Sequence, residues 1–112
     1  MDAGIKRIGF GDEAVRKAFL ELKSGKFEER LLVSYIEKAM DRIKEDPFGT
    51  IAIPQKLWPI EYIRRLEITN LRKYNLPKGW RLLYTVRGNE VEIISVILER
   101  LPHKEYERRF KY

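Results

Sequence analysis

Apolar positions recur along this chain in two periods, first every three to four residues and later every two. Val15, Ala18, Phe19 and Leu22 fall on one stripe of a 3.6-residue repeat, with Asp12 ahead of them as a helix N-cap and Ser24-Gly25 behind as a stop. A second stripe, Leu32, Tyr35, Ile36, Ala39, Met40 and Ile43, predicts a longer helix over 28–45 that Asp46-Pro47 ends. The two read as a helical hairpin. Gly49, Pro54 and Pro59 then interrupt the pattern, predicting an irregular connection in which Ile51 and Ile53 form a short extended piece. A short helix through Ile60, Ile63 and Leu66 follows, with Pro59 in its first turn.

Beyond residue 70 the period becomes two. Residues 80–87 and 91–98 are rich in β-branched, aromatic and leucine side chains and are joined by Gly88-Asn89-Glu90, which predicts a β-hairpin. Residues 71–76 form a third strand candidate ahead of a Pro77-Lys78-Gly79 turn. The expected fold class is α+β: an N-terminal helical hairpin packed on a small antiparallel β-sheet, with residues 5–10 as an edge strand and a short C-terminal helical tail. Alternation along the strand sends Trp80, Leu82, Tyr84 and Val86 to the helices, so that Trp80 and Tyr84 read as core residues rather than base-stacking platforms. Arg81, Leu83, Thr85 and Arg87 go to the other face, expected to be uncovered. There the Arg81 guanidinium either presents a fork of donors to a phosphate or pairs with a carboxylate such as Glu92.

Length and composition restrict the chemistry. A chain of 112 residues fits one domain, so every proposed site shares one scaffold over 1–112. The absence of cysteine removes disulfides, thiolate zinc sites and cysteine nucleophiles, and the single His103 rules out a histidine-rich metal site, leaving only carboxylate sites open. No cofactor is expected. No apolar run approaches the roughly 18 residues a membrane span needs, and residues 1–7 lead into no signal-peptide core, so a cytoplasmic protein with no membrane partner is expected.

The net charge of +6 is unevenly spread. Residues 1–63 carry 11 basic and 11 acidic side chains, whereas residues 64–112 carry 12 and 6, so the whole excess lies in the second half. A localised basic surface suits a polyanion, because phosphate neutralisation releases counterions. A densely charged surface with an incidental excess is the alternative. Arg16, Lys17, Glu37, Lys38, Asp41 and Arg42 on the outer helical faces mix both signs and read as solvated surface.

Two segments of the last third carry a resemblance. Gly79-Trp80-Arg81-Leu82-Leu83-Tyr84-Thr85-Val86 resembles the G-(aromatic)-R-L-(aliphatic)-Y-x-(aliphatic) strand of the RelE/ParE toxin superfamily. His103-Lys104-Glu105-Tyr106 resembles the His-Lys-x-Tyr ending of many archaeal-type members. The resemblance implies the toxin of a type II toxin–antitoxin pair: a ribosome-dependent, metal-independent mRNA endonuclease held inactive by a cognate antitoxin in a hetero-oligomer. In such enzymes the substrate 2′-hydroxyl attacks the adjacent phosphodiester. The reaction needs a base for that proton, cations for the charge on phosphorus and an acid for the leaving oxygen.

Carried over by position, Arg81 matches the strand arginine that contacts the scissile phosphate, and Tyr106 the C-terminal tyrosine that stacks on a base or takes part in proton transfer. Counting back from Arg81, the family's basic pair falls on Arg72 and Tyr74, with Lys73 between them, so only one of the two positions is basic here. Arg100 is the nearest counterpart of the arginine that follows the last strand, across a loop one residue longer. Imidazole's reference pKa suits acid–base work, and His103, at His-x-x-Tyr spacing, shares a helical side with Tyr106, or else caps and docks the tail. Lys78, Lys104, Arg108 and Arg109 complete the expected RNA-binding set, Arg109 being equally placed for a surface ion pair with Glu105. Two alternatives stay open: a ParE-like toxin that inhibits gyrase through protein contacts, and a catalytically inactive nucleic-acid-binding member.

Overall fold

The computed structural model describes residues 7–98; residues 1–6 and 99–112 lie outside the description. The elements run β1 (Arg7–Phe10), α1 (Glu13–Lys23), α2 (Phe27–Glu45), β2 (Ile51–Ala52), α3 (Ile60–Arg64), β3 (Arg72–Asn75), β4 (Trp80–Arg87) and β5 (Glu90–Leu98). The helical hairpin forms where the apolar stripes put it. The Asp12 carboxylate accepts the Val15 N–H at 2.9 Å, satisfying one of the orphan donors at the start of α1. At the start of α2 the Glu29 side chain reaches back to the Lys26 N–H, also at 2.9 Å. Leu32, Val33, Ile36, Ala39 and Ile43 are the buried residues of α2.

The five strands form one sheet in the order β1-β5-β4-β3-β2. Its centre is the meander that the turns predicted. Leu76 N–H bonds the Trp80 carbonyl at 2.8 Å to close the first turn, in which Lys78 and Gly79 take positive φ. Gly88, at φ +60°, supplies the left-handed residue of the second. The sheet is larger than the small antiparallel one expected from sequence and is not wholly antiparallel. β1 runs parallel to β5, pairing Ile8 with Val91, while β2 adds two residues beside β3. A parallel neighbour requires a long crossover, and nearly the whole chain between the two strands supplies it. Gly11 makes the entry from β1 possible: its N–H bonds the Ile93 carbonyl at 2.7 Å, and a Cβ there would meet the same oxygen at 3.3 Å.

Apolar side chains collect on both sides of this sheet. Leu82, Tyr84 and Val86 of β4, with Val91 and Ile93 of β5, pack with Leu32, Ile36, Ala39 and Ile43 of α2, and Trp80, Tyr74, Phe10 and Phe19 pack around them. On the opposite face Leu71, Leu83, Ile94 and Ile97 form a second core with Ile53 and Ile68, against which Leu57, Trp58, Tyr62 and Leu66 pack. The face expected to be uncovered is therefore largely covered by the proline-punctuated stretch 53–68. That stretch is tied by its own bonds, Trp58 Nε1–H to the Ile53 carbonyl at 2.8 Å and Ile53 N–H to the Leu71 carbonyl at 2.9 Å.

A bulge lets β5 serve both cores. Leu83 pairs with Ser95 and Tyr84 with Ile93, so Ile94 is the extra residue between them and joins the second core. Among the described residues, no helix is long and apolar enough to cross a membrane.

Candidate nucleic-acid interface

The alternation of β3 and β4 sorts the basic side chains between the two faces of the sheet. Arg72 pairs with Tyr84 and Tyr74 with Leu82, both partners belonging to the helix-side core, so Arg72 and Tyr74 stand on the helix side. Lys73 pairs with Leu83 and Asn75 with Arg81, which puts Lys73, Asn75 and Arg81 together on the opposite face. The strand cations proposed from sequence are thus divided rather than gathered.

Arg72 has a structural employment. Its Nε–H donates to the Thr50 hydroxyl at 3.1 Å, and its Nη2 donates to the carbonyls of Phe48 and Thr50 at 2.9 and 2.6 Å. The guanidinium also lies over the Phe48 ring, 5.6 Å from its centroid. The planar fork that would grip a phosphate instead grips the 48–50 loop. Tyr74, the second position of the expected basic pair, packs against the helix-side core. Lys78 is exposed in the turn and lines, with Trp80, Glu28, Glu29 and Tyr35, a cleft of about 510 Å³ against the helical hairpin, so it borders the helix side as well.

Arg81, the second residue of β4, is half-buried, its Nη1 donating to the carbonyl of Trp80 at 2.8 Å. Glu92, one of its two sequence-level options, is paired instead with Arg87, at 2.9 Å. The register explains this: Glu92 lies opposite Thr85, two residues from Arg87 and four from Arg81. Arg87 also donates to the carbonyls of Leu66 and Glu67, pinning the end of the covering stretch, where Glu67 takes φ +50°. Arg100, His103, Lys104, Tyr106, Arg108 and Arg109 lie outside the described residues. Among the described residues, no group of three or more His, Cys, Asp or Glu side chains is placed to hold a metal ion.

Two polar arrangements were not anticipated from sequence. The buried Thr85 hydroxyl donates to the Asn70 carbonyl at 2.8 Å, while the Asn70 amide bridges the N–H and carbonyl of Val86, both at 2.8 Å, extending the β3–β4 ladder by a side chain. On the other face the Tyr84 hydroxyl donates to the Pro47 carbonyl at 2.5 Å and receives the Thr50 hydroxyl. Burial pushes the Tyr84 phenol up from its usual pKa, offset in part by the Thr50 hydrogen bond and the Arg72 charge. The two faces of β3 were legible in the sequence. Leu76 is a core residue, so the period of two puts Tyr74 and Arg72 on the core side and Asn75 and Lys73 on the other.

No known family model matches the chain, and neither a curated protein nor a solved structure matches it.

Proposed function

We propose that this chain is a RelE/ParE-like toxin that cleaves mRNA on the ribosome. The observation carrying the proposal is the position of Arg81. It is the second residue of β4, in the Gly79-Trp80-Arg81-Leu82-Leu83-Tyr84 segment, on the face that Lys73 shares and with its aromatic neighbours Trp80 and Tyr84 turned to the helices. A half-buried guanidinium beside an apolar core interacts with a phosphate more strongly than one fully in water.

In this reading the 2′-oxygen attacks the adjacent phosphorus and the bond from phosphorus to the 5′-oxygen breaks. The products are a 2′,3′-cyclic phosphate and a free 5′-hydroxyl, and Arg81 stabilises the charge that builds on the phosphoryl oxygens. His103 and Tyr106 serve the two proton transfers, one accepting the 2′-proton and the other protonating the 5′-oxygen. The partners are mRNA in the ribosomal site and an antitoxin whose acidic amphipathic segment covers the basic face in a hetero-oligomer.

The test is cleavage of mRNA on purified ribosomes, with the 5′ ends of the fragments mapped. Wild type should cut, while Arg81→Ala and Tyr106→Phe should lose most of the rate. Intact mRNA with well-folded wild type would overturn the nuclease reading. The placement of Arg72 on the helix side favours one second reading, a ParE-like toxin acting by protein contact, because it leaves the Arg81 face with fewer cations. Inhibition of gyrase supercoiling in the absence of mRNA cleavage is the result that would select it.

A further inference from the structure

We infer that residues 53–68 form a lid, clasped by Arg87 and Arg65, that opens as one unit while the helix-side core stays folded. Opening uncovers the apolar strip of Leu71, Leu83, Ile94 and Ile97. The inference stands apart from the RNA reading, because it concerns the protein alone and is tested without nucleic acid.

The stretch closes largely on itself. The N–H groups of Leu57, Trp58, Tyr62 and Arg65 go to carbonyls of Pro54, Gln55, Pro59 and Glu61, all within the stretch, and the Trp58 indole N–H goes to Ile53. Lifting it from the sheet therefore breaks few backbone bonds. Its two helical turns, at Gln55–Leu57 and in α3, contain no buried residue, and Ile60 and Ile63 face solvent. A segment with so little buried apolar surface opens at a lower free energy than the molecule unfolds. Turns this short do not hold in water once detached, so opening frees their amides.

Its far end is fastened by cations. Arg65 donates to the Asp12 carboxylate at 2.9 Å, and the other oxygen of that carboxylate caps α1. Arg87, oriented by Glu92, donates to the carbonyls of Leu66 and Glu67. Arg65 is exposed, which makes its ion pair weak and open to screening, so Arg87 is the stronger half of the clasp. Between the two clasped positions and Ile68, Glu67 sits at φ +50°, in the left-handed region that a non-glycine residue enters at a cost. The joint of the lid is thus its strained point.

The experiment is amide hydrogen exchange of the full chain, followed by NMR at increasing, sub-denaturing urea. The amides of Leu57, Trp58, Tyr62 and Arg65, with the Trp58 indole N–H, should share one small urea slope and be protected at least about tenfold less than Ile36 and Ile43 of α2. Ile36→Val weakens only the helix-side core. It should speed exchange in α2 by roughly two- to tenfold and leave the lid at wild-type rates, because that core is intact when the lid is open. Arg87→Gln should speed lid exchange by about tenfold. Lid protection equal to that of α2, lid amides with no common slope, or an Ile36→Val variant that speeds both regions alike overturns the inference. Wild-type lid exchange in folded Arg87→Gln overturns the clasp.

Discussion

The hydroxyls of Tyr84 and Thr50 meet 2.5 Å apart, where the helix-side core reaches the loop before β2. Through Thr50 the phenol is linked to Arg72, and through its own proton to the Pro47 carbonyl. Four polar groups from β3, β4 and the loop thereby satisfy one another at the edge of an apolar cluster.

Removing the phenolic oxygen leaves the Pro47 carbonyl without its donor and the Thr50 hydroxyl with Arg72 alone. Tyr84→Phe should destabilise the fold by about 1–3 kcal/mol, read as a lower urea midpoint at unchanged slope. A wild-type midpoint in Tyr84→Phe would mean that water replaces the phenol at no cost.

The same residue gives an alkaline signature. Its folded pKa is raised above the unfolded value, so its contribution to stability is complete below the unfolded pKa, about 10, and is lost as pH rises through the folded one. Between neutral pH and pH about 11, wild type should lose more stability than Tyr84→Phe. Parallel stability curves for the two proteins over that range would contradict it.

Asn70 acts as an extra rung of the sheet. Asn70→Ala removes both bonds to the Val86 backbone and one acceptor of the buried Thr85 hydroxyl, for an expected loss of about 2 kcal/mol. Amide exchange should report the damage locally, with protection falling at Val86 before it falls at the α2 core.

The second core is as load-carrying as the first. Leu83, fully buried between β3 and β5, should cost about 2–5 kcal/mol on replacement by alanine, whereas Ile51→Ala on the exposed β2 should change little. Equal, small effects at the two positions in thermal melts would show that the stretch 53–68 is not packed on the sheet.

Much of this fold is legible in the sequence. Asp12, the stripe from Leu32 to Ile43 and the alternation from Trp80 to Val86 are local signals, each written in the spacing of a few residues, and each element formed where its spacing put it. What local spacing does not carry is pairing between distant segments. The parallel seat of β1 beside β5 and the cover laid by 53–68 are long-range choices, and the latter segment, broken by Pro54 and Pro59, has no period to announce which way its apolar side chains face. The faces taken by the basic residues of β3 turn on parity. Counting nine residues back from Arg81 reaches Arg72, but the turn that closes at Leu76 gives β3 the opposite phase, and one residue of phase exchanges the faces of Arg72 and Lys73.

From Leu82 to Val86 the central strand has no side open to solvent, and every side chain in that run is buried. Along this strand, change without loss of packing is consequently confined to its two ends, with Arg81 near one and Arg87 at the other. Arg87 is already committed to holding the cover shut. Descendants of this chain could exchange the group at position 81 while leaving the scaffold intact, but the interior five residues would tolerate little beyond like-for-like replacement.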